Sequence, residues 1–204
     1  MGSAEMNYSQ DGEEAIILKH FAGKREGRLL DIGAADGERF SNTRTLMESF
    51  NWSGAFFEPC ARSFARLVEL YHDSDKAILY NIALAPDYQG GVREMQYALD
   101  TVVSTFDKKT HEAWKDSGRY CKVRVSTLAP QALFSHGFGF GFDFISIDAE
   151  GWSFSIAERM LTLAKPSLWC IENDEGFHEF EKSMNHYGYK QIATTQANTL
   201  WALK

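Results

Sequence analysis

Short buried strands alternating with amphipathic helices predict an α/β domain: a mostly parallel sheet, helices on both faces, and an antiparallel hairpin at the C-terminal edge. Three observations carry this expectation. Runs such as Arg28–Ile32, Phe142–Asp148 and Ser167–Glu172 are apolar on both faces, as in a sheet covered on both sides. Between such runs lie segments with apolar residues at helical spacing. The last two strand-like runs are separated by a short turn and no helix.

Along the chain, Glu13 to Phe21 (EEAIILKHF) is apolar at helical spacing and has acidic residues in its first turn, where the helix dipole favours them. Gly23 and Gly27 bracket a turn before the strand Arg28–Ile32. Further strands are expected at Gly54–Glu58, Ala77–Tyr80, Phe142–Asp148 and Ser167–Glu172. Helices are expected at Thr43–Phe50, Ala61–His72, Thr127–Ser135 and Ser153–Ala164. Tyr189–Thr194 and Thr199–Leu203, joined through Gln196-Ala197-Asn198, read as the terminal hairpin. Residues 93–124, with Thr101 to Thr105 and the stretch HEAWKDSGRY, break the alternation. A long insertion in a compact α/β domain reads as a lid or binding loop, or more plainly as a surface excursion with a hairpin. The GFGFGF run from Gly137 to Phe142 reads as a hinge entering the next strand.

A chain of 204 residues suits one domain over 1–204, with 1–6 as a frayed end. Its net charge of −7 and lack of any Lys/Arg run disfavour a nucleic-acid partner, whose phosphates would be repelled. Cys60, Cys121 and Cys170 form no CxxC pair, which speaks against a disulfide framework or a cysteine zinc site and for a reducing, cytoplasmic setting. No apolar stretch is long enough to span a bilayer, so no membrane partner is expected. A homodimer remains compatible with the sequence.

Leu29 to Gly37 (LLDIGAADG) runs a hydrophobic strand into Asp-x-Gly-x-x-x-Gly. Gly33 would let the backbone turn sharply and approach a ligand, Ala34 follows it into the loop, and Gly37 would let the chain pass close by. Asp31, just before the first glycine, would oppose a pyrophosphate. It suits a ligand bearing an ammonium and a sulfonium, as S-adenosylmethionine does. Glu58 ends the next strand in AFFEP, with Pro59 behind it. An acid about 20 residues beyond such a loop accepts hydrogen bonds from ribose hydroxyls. A nicotinamide cofactor would use Glu58 equally well, but Ala35 stands where a GxGxxG loop needs its second glycine.

YSQDGEEAIIL, LLDIGAADGERFSNT, WSGAFFEP, NIAL at Asn81 to Leu84 and FISIDAEGWSFSI together resemble the FkbM-type S-adenosylmethionine-dependent methyltransferases, from about Tyr8 to Glu175. The sharpest piece is Ile147-Asp148-Ala149-Glu150-Gly151. The resemblance implies a Rossmann-like class I methyltransferase fold with a seven-stranded sheet, and often a hydroxyl acceptor on a sugar or small metabolite. It further implies that Asp31, Gly33 and Gly37 form the cofactor loop and that Glu58 holds the ribose. Asn81 and Ile82 would lie beside the adenine, with Asp148 and Glu150 at the mouth of the site. After the signature this chain departs from the usual pattern, continuing Ser153-Phe154-Ser155.

Methyl transfer to a hydroxyl needs alignment, exclusion of water and removal of one proton, by a base or by a metal that acidifies the hydroxyl. Asp148 is the candidate for either role because it ends a buried strand at the ligand-binding edge of the sheet, and Glu150 follows on the adjacent loop. Asp148, Glu172 and Asn173 or Asp174 could supply oxygens to Mg2+. The plainer reading makes Glu172 and Asp174 cap and turn residues, Asp174 starting a helix near Phe177. His178 is a further candidate base, ahead of His111, His136 and His186. Ser104, Thr105 and the segment Ser9-Gln10-Asp11 are candidate contacts to substrate or cofactor, and Trp152, Phe154 and Phe177 could pack on a sulfonium or sugar ring. Beside O-methylation stand an N-methyltransferase, a non-catalytic S-adenosylmethionine sensor or adaptor, and an NAD-dependent oxidoreductase.

Overall fold

The computed structural model describes residues 8–87, 89–99, 104–135, 141–174 and 176–204. The expected frayed end at 1–6, residues 101–103, His136, most of the GFGFGF run and Glu175 lie outside the described residues. The strands are β1 (Arg28–Ile32), β2 (Ser53–Phe57), β3 (Ala77–Tyr80), β4 (Ala83–Leu84) and β5 (Gly91–Ala98). They continue as β6 (Tyr120–Leu128), β7 (Phe144–Ile147), β8 (Leu168–Glu172), β9 (Tyr189–Thr194) and β10 (Asn198–Leu203). The helices are α1 (Glu13–Phe21), α2 (Arg44–Phe50), α3 (Ala61–Tyr71), α4 (Lys108–Trp114), α5 (Pro130–Ser135), α6 (Ser153–Met160) and α7 (Phe177–His186).

Seven strands form the main sheet in the order β3-β2-β1-β7-β8-β10-β9. From β3 to β8 neighbours run parallel, while β10 runs antiparallel to both β8 and β9. This is the Rossmann-like arrangement with an antiparallel C-terminal hairpin. Successive side chains on a strand point to opposite faces, and the two faces fill from different helices. Leu30, Ile32, Phe57, Ile145, Ile147, Trp169, Ile171 and Trp201 pack with Phe154, Met160, Phe180 and Met184 of α6 and α7. Leu29, Phe56, Phe144, Leu168, Cys170 and Leu200 pack with Ile17 and Phe21 of α1, Leu46 of α2 and Leu67 and Tyr71 of α3. β1 and β7 are adjacent, and the chain winds outward from them in opposite directions. Such a switch point leaves a crevice at the carboxyl ends of the two strands.

The irregular region is a second sheet. β5 and β6 pair antiparallel over their length, Gly91 opposite Thr127 and Ala98 opposite Tyr120. Its order is β4-β6-β5, with β4 parallel to β6. Between β5 and β6 the chain carries α4, whose first turn is capped by Asp107 accepting from the Thr110 amide at 2.8 Å. The weak sequence periodicity has a physical cause: this arm buries a small cluster around Met95 and Val125 and exposes much of both strands. Two helix boundaries differ from expectation by more than one residue, while α2 and α3 each lose a single end residue, Thr43 and His72, to the caps. Thr127 and Leu128 belong to β6, and Pro130 opens α5, because a proline is tolerated in the first helical turn and not in a strand ladder. α6 stops at Met160, not at Ala164. Among the described residues no helix is long and apolar enough to cross a membrane.

Candidate functional site

The loops after β1 and β7 touch. Asp148 donates its amide to the Ile32 carbonyl at 2.8 Å, and Gly33 adopts φ +80° with no room for a side chain. A Cβ there would lie 1.6 Å from the Asp148 carbonyl oxygen. Gly33 and Ala34 both donate to the Phe57 carbonyl, at 2.8 and 3.1 Å, which straps the glycine loop to the end of β2. Gly37 stands behind the loop, where a Cβ would meet Leu67 Cδ1 at 2.5 Å. It therefore lets α3 approach and does not itself line the cleft. Above this junction opens a cleft of 860 Å³, room for a nucleoside cofactor and an acceptor together. A smaller hollow of 450 Å³, beside Pro86 and Arg159, holds none of the acidic groups described next.

Two carboxylates stand on the β1–β2 side. Asp31 is 5% exposed, and its Oδ2 accepts from Thr43 Oγ1 at 2.6 Å. Burial pushes its pKa up to about 7, against the Thr43 hydrogen bond and with help from Glu58. Glu58 accepts from the Ala35 amide through Oε2 at 2.8 Å and from the Cys60 amide through Oε1 at 2.6 Å. Burial raises its pKa, with those amides opposing. Each oxygen keeps a lone pair for a ligand hydroxyl.

A denser acidic group stands on the β7–β8 side. Ligand oxygens of Asp148, Glu150 and Glu172 lie within 4.8 Å of one another. Glu172 Oε2 is engaged by the Glu150 amide at 2.9 Å and by Ser153 Oγ at 2.8 Å, so this carboxylate shapes the loop that carries Glu150. Asp148 is open to water in the cleft, yet the enclosing protein and then the Glu150 carboxylate push its pKa up to about 8. Burial and the Glu172 charge bring Glu150 to about 8 as well. Three carboxyls this close cannot all ionise at neutral pH without a cation.

Other expected residues fall in distinct places. Ile82, Pro59, Ala34, Ser104, Trp152 and Asn173 line the cleft. Asn81 does not; its amide donates to the Glu58 and Pro59 carbonyls at 2.8 and 3.3 Å and holds the turn behind Glu58. Thr105 is buried and donates to the Glu150 carbonyl at 2.6 Å, so it pins the β7 loop to the arm. His178 is exposed on the first turn of α7, away from the cleft lining. Asn173 donates to the carbonyls of Thr195 and Gln196, at 3.2 and 3.1 Å. Asp174 does act as a cap, but of α6: it accepts from the amides of Gly151 and Phe154 at 3.1 and 3.3 Å. The helix at Phe177 begins instead at Gly176, with no side-chain cap. Of the N-terminal segment, Gln10 lines the cleft. Asp11 accepts from the Ala197 amide at 2.9 Å, and Ser9 Oγ accepts from the Glu14 amide at 3.1 Å. Phe106 and Trp152 stack with centroids 4.7 Å apart, bringing the arm against the IDAEGW loop.

Sequence reasoning missed Thr43, which is buried and holds Asp31, and the arginines Arg39, Arg62 and Arg66 of the cleft wall. The four-residue spacing of Arg62 and Arg66, at the start of the helix after Glu58, was an available signal for the latter.

Residues 31–191 match the family model described as the Methyltransferase FkbM domain. A search of curated proteins found no match. Among solved structures, a precorrin-6y C5,15-methyltransferase from Geobacter metallireducens GS-15 aligns at 10% identity and a TM-score of 0.51, over 100% of this chain and 93% of that one. A SAM-dependent methyltransferase from Geobacter sulfurreducens, in complex with S-adenosyl-L-homocysteine, aligns at 10% identity and a TM-score of 0.50, over 94% and 69%. A protein from Galdieria sulphuraria, assigned as a sarcosine dimethylglycine methyltransferase, aligns at 10% identity and 0.50, and this chain covers 61% of its length. At such identities the likeness is one of fold.

Proposed function

This chain belongs to the FkbM methyltransferase family, and from that premise we propose that it binds S-adenosylmethionine in the cleft between β1 and β7 and methylates a hydroxyl of a small acceptor such as a sugar. The observation that carries this reading is the charge arrangement around the Gly33–Asp148 contact. Asp31 and Glu58 stand on one side and Asp148 with Glu150 on the other. The carboxyls of the cavity floor suit a cofactor that carries an ammonium and a sulfonium and would repel a dinucleotide pyrophosphate seated on that floor, the arginines of the cleft standing on its wall. Gly33 contributes indirectly: having no Cβ, it lets the β1 loop close onto the Asp148 carbonyl, which brings Asp31 and Asp148 to one cleft.

When bound, the cofactor supplies a methyl group already activated by positive sulfur. The protein then has to hold the acceptor in line and take its proton. Asp31 would pair with the cofactor ammonium, and Glu58 would accept from ribose hydroxyls with the lone pairs its two backbone amides leave free. Asp148 is the proton acceptor at the acceptor hydroxyl, with Glu150 beside it. A carboxylate whose pKa stands at about 8 is a stronger base than an ordinary one and still ionises near neutral pH. Trp152, stacked on Phe106, gives an aromatic wall suited to a sugar ring or other flat apolar face.

A second reading puts a divalent cation such as Mg2+ among Asp148, Glu150 and Glu172. It is favoured by three hard oxygen donors within 4.8 Å. Such an ion would acidify the acceptor hydroxyl and relieve the repulsion among the three carboxyls.

Calorimetric titration with S-adenosylmethionine, S-adenosylhomocysteine and NAD, with and without Mg2+, tests both. Binding of the first two and not of NAD supports the cofactor reading; binding of NAD alone, or of none, removes it. Tightening only in Mg2+ supports the cation. Asp148→Asn should keep S-adenosylhomocysteine affinity within a few fold yet lose turnover in a screen of sugars and hydroxylated metabolites. A fully active variant takes Asp148 out of the mechanism. Binding without turnover on any acceptor class would favour a sensor.

A further inference from the structure

The cleft is electrically polarised. Its floor carries the carboxyls already described, but the wall formed by the Gly33 loop and α3 carries Arg39, Arg62 and Arg66, in a chain whose net charge is −7. Arg62 and Arg66 stand four residues apart on α3 and so share one face of that helix. Arg39 lies over the Phe40 ring at 4.6 Å, and Phe40 itself is on the cleft wall. The counter-charge is thin. Among the described residues the carboxylate in ion-pair reach of this group is Asp36, 3.9 Å from Arg66 Nη1. Its other oxygen is taken by the amides of Glu38 and Arg39, at 3.1 and 2.9 Å. Arg62 spends one N–H on the Leu99 carbonyl, at 3.2 Å, and a guanidinium has several more to offer.

Resting on the cofactor reading above, we infer that the acceptor carries an anionic group, a phosphoryl or carboxylate, which Arg39, Arg62 and Arg66 grip at the rim while its hydroxyl reaches toward Asp148. Guanidinium forks recognise such planar or tetrahedral oxyanions through paired charge-assisted hydrogen bonds. The same wall sets three guanidiniums against the single Asp36 carboxylate and so repels a cationic acceptor. Attraction to the rim would also keep an anionic acceptor away from the acidic floor, where the cationic cofactor belongs, so the two ligands sort themselves by charge within one cleft. The alternative source of a carboxylate is the cofactor's own amino-acid end.

Inorganic pyrophosphate titrated into the free and the S-adenosylhomocysteine-loaded protein tests this, with wild type and the double variant Arg62→Gln, Arg66→Gln. The expected result is saturable binding by wild type, weakened at least about tenfold in the variant, with S-adenosylhomocysteine affinity retained. Retained affinity also shows that the variant is folded. Absence of saturable pyrophosphate binding by wild type, or equal binding by the variant, overturns the inference. So does a variant that loses affinity for S-adenosylhomocysteine but not for 5′-methylthioadenosine, which lacks the carboxylate; the arginines would then serve the cofactor. Pyrophosphate binding by a protein that ignores S-adenosylhomocysteine would keep the anionic rim and remove the cofactor reading instead.

Discussion

Replacing Asp31 with Asn isolates one titration at the centre of the cleft. Asn keeps an oxygen to accept from Thr43 Oγ1, the 2.6 Å bond that fixes this side chain, so the fold persists while the charge is removed. Burial holds the Asp31 pKa at about 7 in the folded protein, against 3.8 for an ordinary Asp. Between those values the folded state carries a proton that the unfolded chain lacks, so the Asp31 contribution to stability is fully present below the lower value and is lost as pH rises to and through the upper one. From about pH 5.5 to about pH 8.5 the loss spans about 1.5 pH units below the folded pKa, and at about 1.4 kcal/mol per unit that is about 2 kcal/mol. Urea denaturation of wild type and Asp31→Asn at both pH values reads this as a difference of differences, which cancels the titrations of groups that the Asp31 charge does not influence and leaves its smaller coupling to Asp148 within the difference. The variant should lose about 2 kcal/mol less than wild type across the interval. S-adenosylhomocysteine, whose ammonium favours the ionised carboxylate, should stabilise wild type more at the higher pH. Parallel losses in the two proteins would refute the reasoning, because Asp31 would then ionise alike in both states.

Gly33→Ala should cost at least about 3 kcal/mol, because it forces a left-handed residue and a Cβ into the Asp148 carbonyl; an unchanged melting temperature would show that the β1 and β7 loops can separate freely. Thr105→Val removes the donor to the Glu150 carbonyl and the acceptor for the Asp107 amide. It should lower stability by about 1–3 kcal/mol and speed amide exchange along β5 and β6, with S-adenosylhomocysteine affinity kept. Unaltered exchange in the arm would mean that Thr105 is not its anchor.

The sequence by itself determined what depends on neighbours along the chain. The bounds of α1, β1 and β3, and the hairpin of β9 and β10, follow from local apolar spacing and turn residues. The same local reading identified the glycine loop with its flanking Asp31, and the acid at the end of the next strand. It misread Thr127 and Leu128 because a short apolar run before a helix looks alike as strand or as helix, and their partners, Gly91 in β5 and the β4 residues, lie far back in the chain. Only the tertiary structure decided which acids meet. Asp148, Glu150 and Glu172 come together because β7 and β8 are neighbours, while Asp174 is drawn off to cap α6 and Asn173 to hold the hairpin turn. It also decided that Thr43 would serve Asp31, that Asn81 would brace a turn, and that three arginines scattered between positions 39 and 66 would face one cleft. The physical reason is the same in each case. Periodicity and turn chemistry act over a few residues, whereas burial, charge proximity and hydrogen-bond competition act between residues that only chain crossing brings within a few ångströms.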